Sequence, residues 1–211
     1  MATWNGFPLI TVPTTVTVYG EAGAPRSIEW NDTDIAGATT NPFTAQQQIY
    51  NWGQGYMEFS FSYPAMPVSV FRQWQVFLRL LEGINGVFLS AADPLASAPQ
   101  NSLATAPTVS GVNAAGSYSL NISGGSHNTV GDWFSIPGNG AFSTGSRLYQ
   151  ITAISGSVWS IWPPIREATA GGETLTINGA KGVWRLKNTG RRYSCDVQRV
   201  YQLAYEAREA L

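Results

Sequence analysis

The chain has one cysteine, Cys195, and one histidine, His127, in 211 residues. A zinc site takes three or four ligands, drawn mainly from these two types, and an internal disulfide takes two cysteines, so most metal and thiol chemistry is excluded at once. Charge is scarce as well. Only 12% of residues are charged, about half the ~25% of an ordinary soluble domain. No apolar run has the length of a membrane span, and the first residues lack the basic-then-apolar pattern of a secretory signal, so no membrane insertion is expected. The expectation is a chain made in the cytoplasm with Cys195 reduced.

What is present points to strands. Gly is abundant, at 22, and eight Trp, nine Tyr and nine Phe sit in short apolar runs separated by Gly, Ser, Thr and Asn. Such a texture predicts a mainly β fold. The net charge of −1 hides an asymmetry: residues 1–180 carry five basic against ten acidic side chains, and residues 181–211 carry seven against three. Six cations, Lys181, Arg185, Lys187, Arg191, Arg192 and Arg199, crowd into nineteen residues. Such a strip suits a nucleic-acid face, the outer face of strands, or an acidic neighbour across a subunit boundary, and the last two are preferred.

Along the chain, LITVPTTVTVYG is the first strand candidate, with Pro13 arguing for an edge or a bend, and a polar stretch follows to Thr40. GYMEFSFSYP then alternates strictly, with Met57, Phe59, Phe61 and Tyr63 on one face, as a half-buried antiparallel strand does. Near 67–82 the apolar positions Val70, Phe71, Trp74, Phe77, Leu78 and Leu81 recur at three and four, which predicts one helix lying on a sheet; Pro67 opens it and Gly83 suits its stop. The strand GVFLS follows. ASAPQNSLATAPTVSGVNAAG reads as a linker or loose loop. Five strand candidates come next: SYSLNIS, DWFSIP, RLYQITAI, VWSIWP and TLTIN. They predict a small five-stranded β-barrel, like an oligonucleotide/oligosaccharide-binding (OB) fold. YSCDVQRVYQLAYEA resumes the alternation and reads as one long strand pairing with GYMEFSFSYP. The fold expected is therefore mainly β: a discontinuous β-sandwich domain with one packed helix from 1–94 and 181–211, and an inserted barrel from 95–180.

Candidate chemistry is thin. His127 lies in SGGSHNTVGD near Ser123, Ser126 and Asp132, but no strained turn or oxyanion arrangement accompanies a serine there. Glu29, Asp32 and Asp34 offer oxygen ligands without the Gly and Glu of a calcium loop. No carboxylate pair has a glycosidase's spacing. Neither a catalytic residue, nor a metal site, nor a cofactor is expected. Trp133, Trp159 and Trp162 could stack on sugars, and Trp162, before Pro163-Pro164, is the most exposed expectation; the barrel core is the preferred reading for the others.

NPFTAQQQIYNWGQGYMEFSFSYPAM, the helix FRQWQVFLRLLEG, the strand INGVFLSAADP and, after an insertion, GAKGVWRLKN with the terminal strand through YEAREAL resemble the distal tail proteins of long-tailed bacteriophages (siphophages). The resemblance covers about residues 41–94 and 180–211, with the elements in order. It implies a structural virion protein of the tail tip and no enzyme. Such proteins form a homo-oligomeric ring, six-fold or alternatively three-fold, between the tail tube protein and the hub protein of the baseplate, with DNA only in transit through the channel. The sparse cations of residues 1–180 suit such a bore, since each neutralised phosphate adds affinity, and the strip from Lys181 to Arg199 is expected to avoid it. The alternative is a carbohydrate-binding tail protein whose inserted domain docks on host surface glycans through Trp162, Trp133 or Trp159.

Overall fold

The computed structural model describes residues 3–13, 17–18, 21–22, 25–91, 98–137, 146–191, 193–196 and 200–211. Before the helix come β1 (Thr3–Trp4), β2 (Phe7–Ile10), β3 (Thr17–Val18), β4 (Glu21–Ala22), β5 (Ser27–Thr40), β6 (Gln47–Ser62) and β7 (Met66–Pro67). Helix α1 (Val68–Leu80) and β8 (Val87–Ser90) follow. The middle of the chain supplies β9 (Thr108–Val109), β10 (Ser119–Ser123), β11 (Trp133–Pro137), β12 (Ser146–Ser155) and β13 (Val158–Trp162). The end supplies β14 (Gly182–Leu186), β15 (Tyr193–Cys195) and β16 (Val200–Glu209). Among the described residues the fold is mainly β with one helix, the class that the composition predicts and the helix that the 3-and-4 spacing predicts.

One nine-stranded sheet joins the two ends of the chain, in the order β1-β2-β8-β14-β16-β6-β5, with β7 and β15 also pairing with β16. The expected pairing across the insertion is present: Phe61 lies opposite Tyr205 and Phe59 opposite Ala207. Opposed residues share a face, so Met57, Phe59, Phe61 and Tyr63 join Trp184, Leu186, Leu203 and Ala207 in one buried layer. Helix α1 covers one end of that layer through Phe71, Trp74, Phe77 and Leu78. The Trp74 ring lies 4.2 Å from Tyr63 and Phe71 stacks on Tyr201 at 4.3 Å. Burying each such side chain is worth about 1.5–3 kcal/mol, so the aromatic stripe fixes the helix on the sheet. The chain stops the helix at Glu82-Gly83, where Gly83 has φ +72, a left-handed position that glycine takes without steric cost.

The inserted strands make a second, five-stranded sheet in the order β11-β12-β13-β10-β9. The segment expected as a fifth strand, TLTIN, forms no strand; it bridges the sheet's two edges, with Thr174 opposite Thr108 and Thr176 opposite Ser135. Leu120, Phe134, Tyr149, Trp159, Ile161 and Leu175 fill the space inside. Burial pushes the Tyr149 phenol up to about 12.

Three expectations are corrected. The polar stretch before Thr40, for which no element is expected, contains a strand, Ser27–Thr40, paired along β6. Its alternation is invisible in the sequence because most of both faces meets solvent. The described part of the expected linker, from Ala98 on, is built into the second module: β9 pairs with β10, and the buried Asn113 amide bonds Thr169 Oγ1 at 3.0 Å. YSCDVQRVYQLAYEA is two antiparallel strands, Tyr193 opposite Leu203 and Cys195 opposite Tyr201. Asp196 Oδ1 accepts the Val200 N–H at 2.9 Å at the turn; period-two patterning continues through a hairpin and conceals it. Of LITVPTTVTVYG, residues 14–16 and 19–20 lie outside the described residues.

Candidate assembly surface

Strands β5 and β6 pair over their whole length, but β16 accompanies β6 only from Glu58 to Ser62. Beyond Gly55 the hairpin therefore stands without a neighbouring strand. None of the twenty residues 35–54 is charged. In this arm Phe43 is 95% exposed, Ile49 68% and Trp52 62%, and Ile35 and Tyr50 are exposed as well. Free edges of sheets are ordinarily guarded by charge, proline or a covering element, and apolar side chains in one uncharged patch mark a contact surface. The arm's tip is held by Asn41, whose Oδ1 accepts the Phe43 N–H at 2.9 Å. Gly37 leaves room for the Trp52 ring, since a Cβ there would stand 2.8 Å from Trp52 Cη2.

An elbow marks where the arm leaves the core. The pairing register shifts between Asp34 and Ala36, so that Ala36 faces Asn51 while Asp34 faces Gly55. Gly53 adopts φ +64 within the extra residues of the bulge. The second module grips the elbow from one side. Trp162 Nε1 donates to Asp34 Oδ1 at 3.1 Å, and Arg166 Nη2 donates to the Gly55 carbonyl at 2.6 Å. Arg166 also forks onto Glu209 of β16, at 3.0 Å and 2.5 Å. That pair is almost wholly buried, at 6% and 5% exposure. Arg147 adds a bond to the Ala210 carbonyl at 2.6 Å and an ion pair with Glu167 at 2.8 Å. Trp162→Phe keeps an aromatic ring but deletes the pyrrole N–H that bonds Asp34; it is expected to cost about 1–2 kcal/mol in a denaturant melt.

The three tryptophans proposed for glycans are all engaged. Trp159 is 2% exposed inside the second module, edge-on to Phe134, which corrects its place among sugar-stacking candidates: no ring face meets solvent. Trp133 and Trp162 are half-buried and pack against the core of the large sheet.

The cationic strip disperses. Arg185 is half-buried with its guanidinium 4.7 Å over Phe7, and burial lowers its pKa. Lys187 bonds Glu58 at 2.8 Å on the outer face of the large sheet, where Arg208 also approaches Glu58 at 3.8 Å. Lys181 is exposed at the junction of the modules. Arg191 lines a 520 Å³ cavity with Leu78, Leu186, Tyr205 and Glu206. Arg192 and Arg199 lie outside the described residues.

Burial pushes the Glu58 carboxyl up, but hydrogen bonds from Lys187 and Asn31 and the charges of Lys187 and Arg208 outweigh it, and the net shift is downward from 4.5. A carboxylate with a lowered folded-state pKa contributes stability above its unfolded-state value and loses it as pH falls through the folded one. The stability difference between wild type and Glu58→Gln should therefore shrink between pH 6 and pH 3. Urea melts at the two values check this.

Two more of the candidates, Asp132 and Ser126, have structural partners. Asp132 is buried; it accepts the Gln100 N–H at 2.8 Å and the Thr129 N–H and hydroxyl at 2.9 Å. Ser126 Oγ pairs with Thr105 Oγ1 at 3.0 Å. Asp32 and Asp34 share a face of β5, and burial together with the Asp34 charge raises the Asp32 pKa. Among the described residues no three His, Cys, Asp or Glu side chains converge as a metal site would require. The candidate surface, the arm, was missed by sequence reasoning, although the uncharged run from Ile35 to Gln54 around the Asn41-Pro42 turn signal was there to be seen.

No protein-family model matches the chain, and no curated protein matches it.

Proposed function

We propose that the chain is a structural subunit of a phage tail tip, forming a homo-oligomeric ring that joins the tail tube to the hub and leaves a channel for DNA. The observation that carries this reading is the uncharged arm. Twenty residues with exposed aromatic and aliphatic side chains and two free strand edges would be an aggregation liability on a solitary protein. Such a surface suits a permanent contact between copies, whose core is poor in charge and rich in aromatics. A heterologous contact of this kind, repeated about an axis, closes a ring.

The resemblance to distal tail proteins supplies the placement. In this reading the large sheet with α1 is the ring-forming sandwich-type domain, and the inserted sheet is an OB-like barrel carried on its surface. The buried Arg166–Glu209 pair and the Trp162–Asp34 bond support a barrel held rigidly to the ring rather than swinging on a linker. The glycan-binding alternative draws less support, because Trp133, Trp159 and Trp162 all pack into the protein. Gold-labelled antibody against the chain should decorate the end of the tail between tube and hub. Label on the capsid, or none on intact particles, would overturn the assignment.

A further inference from the structure

A second apolar surface lies on the opposite end of the large sheet. Val68, Val76 and Leu80 fall at multiples of four residues along the outer side of α1, and Ile84 follows in the turn beyond; all four are exposed, Val76 at 53%. Residues four apart line one helix face, so the three form a ridge, interrupted by Arg72. From Val68 to Leu80 it measures about 18 Å at 1.5 Å per residue. The outer part of the arm from Ile35 to Thr40 measures about 17 Å at 3.3 Å per residue.

We infer that the ridge of α1 is the dock for the arm of the neighbouring copy, an inference that rests on the ring reading above. The arm cannot reach the ridge of its own chain. It departs at Gly55, whereas α1 sits over Tyr63, about 26 Å further along β6 at 3.3 Å per residue. The contact is thus between copies, and since the arm and the ridge are different surfaces it is heterologous, the kind that closes rings. Chemistry agrees with length. The arm brings no charge to meet Arg72 and Arg79, and the unpaired carbonyls along its free edges are acceptors for the Arg72 guanidinium. Twenty arm residues also approach the twenty to thirty per side of a standard stable interface.

The test places Ile49→Cys and Leu80→Cys together in a Cys195→Ser background and oxidises the assembled protein. A ladder of disulfide-linked oligomers on a non-reducing gel, absent from either single-cysteine variant, is the expected result. Leu80→Lys should in parallel weaken assembly at least 10-fold while its thermal melt as a monomer stays within a few degrees of wild type. If the wild type forms rings but the double-cysteine variant gives no ladder, and Leu80→Lys assembles normally, the docking is overturned and the ring reading survives. A wild type that stays monomeric at every concentration overturns both.

Discussion

Arg166→Ala is expected to lower the unfolding free energy by about 3–5 kcal/mol, the cost of leaving a buried charge without its partner. The guanidinium is bonded at once to the last strand, through Glu209, and to the root of the arm, through the Gly55 carbonyl. Its loss strands the Glu209 carboxylate at 5% exposure. For a chain of this size each kcal/mol moves the melting temperature by about 2–4 °C, so a fall of roughly 6–20 °C should appear by calorimetry. The paired replacement Arg166→Met with Glu209→Leu should recover most of the loss, because two apolar groups of similar volume need no solvation. A single substitution that left the melt unchanged would show that the latch does not join the two sheets.

Removing the arm should have the opposite profile, with little effect on stability and complete loss of assembly. The cross-strand pair Asp34 and Gly55 can be closed by Asn-Gly, the pair of residues that a two-residue hairpin turn favours. Ile35 to Gln54 are exposed or half-exposed throughout, so their deletion opens no cavity in either core. The shortened chain is expected to melt within a few degrees of wild type, and to sediment as a monomer at concentrations where wild type forms rings. Assembly by the shortened chain would move the interface elsewhere on the surface.

Legibility in the sequence followed burial. The strand from Gly55 to Tyr63, helix α1, four of the five strands of the second sheet and the pairing of the chain's last strand with β6 were readable, because each buries one face and exposes the other; β9, in the expected linker, was not. The outer halves of β5 and β6 bury neither face. They left no alternation to read. The hairpin between β15 and β16 was hidden for the converse reason, since both of its strands keep the same period of two and only Arg199 breaks the pattern. Spacing along the chain likewise did not show the partners of the cations. Lys187 is neutralised by Glu58, 129 residues earlier, and Arg185 is laid over Phe7, partners that only the sheet order brings near. The tryptophans were legible in part: the core reading of Trp159 holds, but nothing local to Trp162 announces Asp34, 128 residues away.

Electron microscopy of the purified full-length chain tests the ring most directly. Closed rings of uniform diameter, with one peripheral lobe per subunit, are the expected images. A field of single 22.8 kDa particles at every concentration, with the arm intact, would contradict the account.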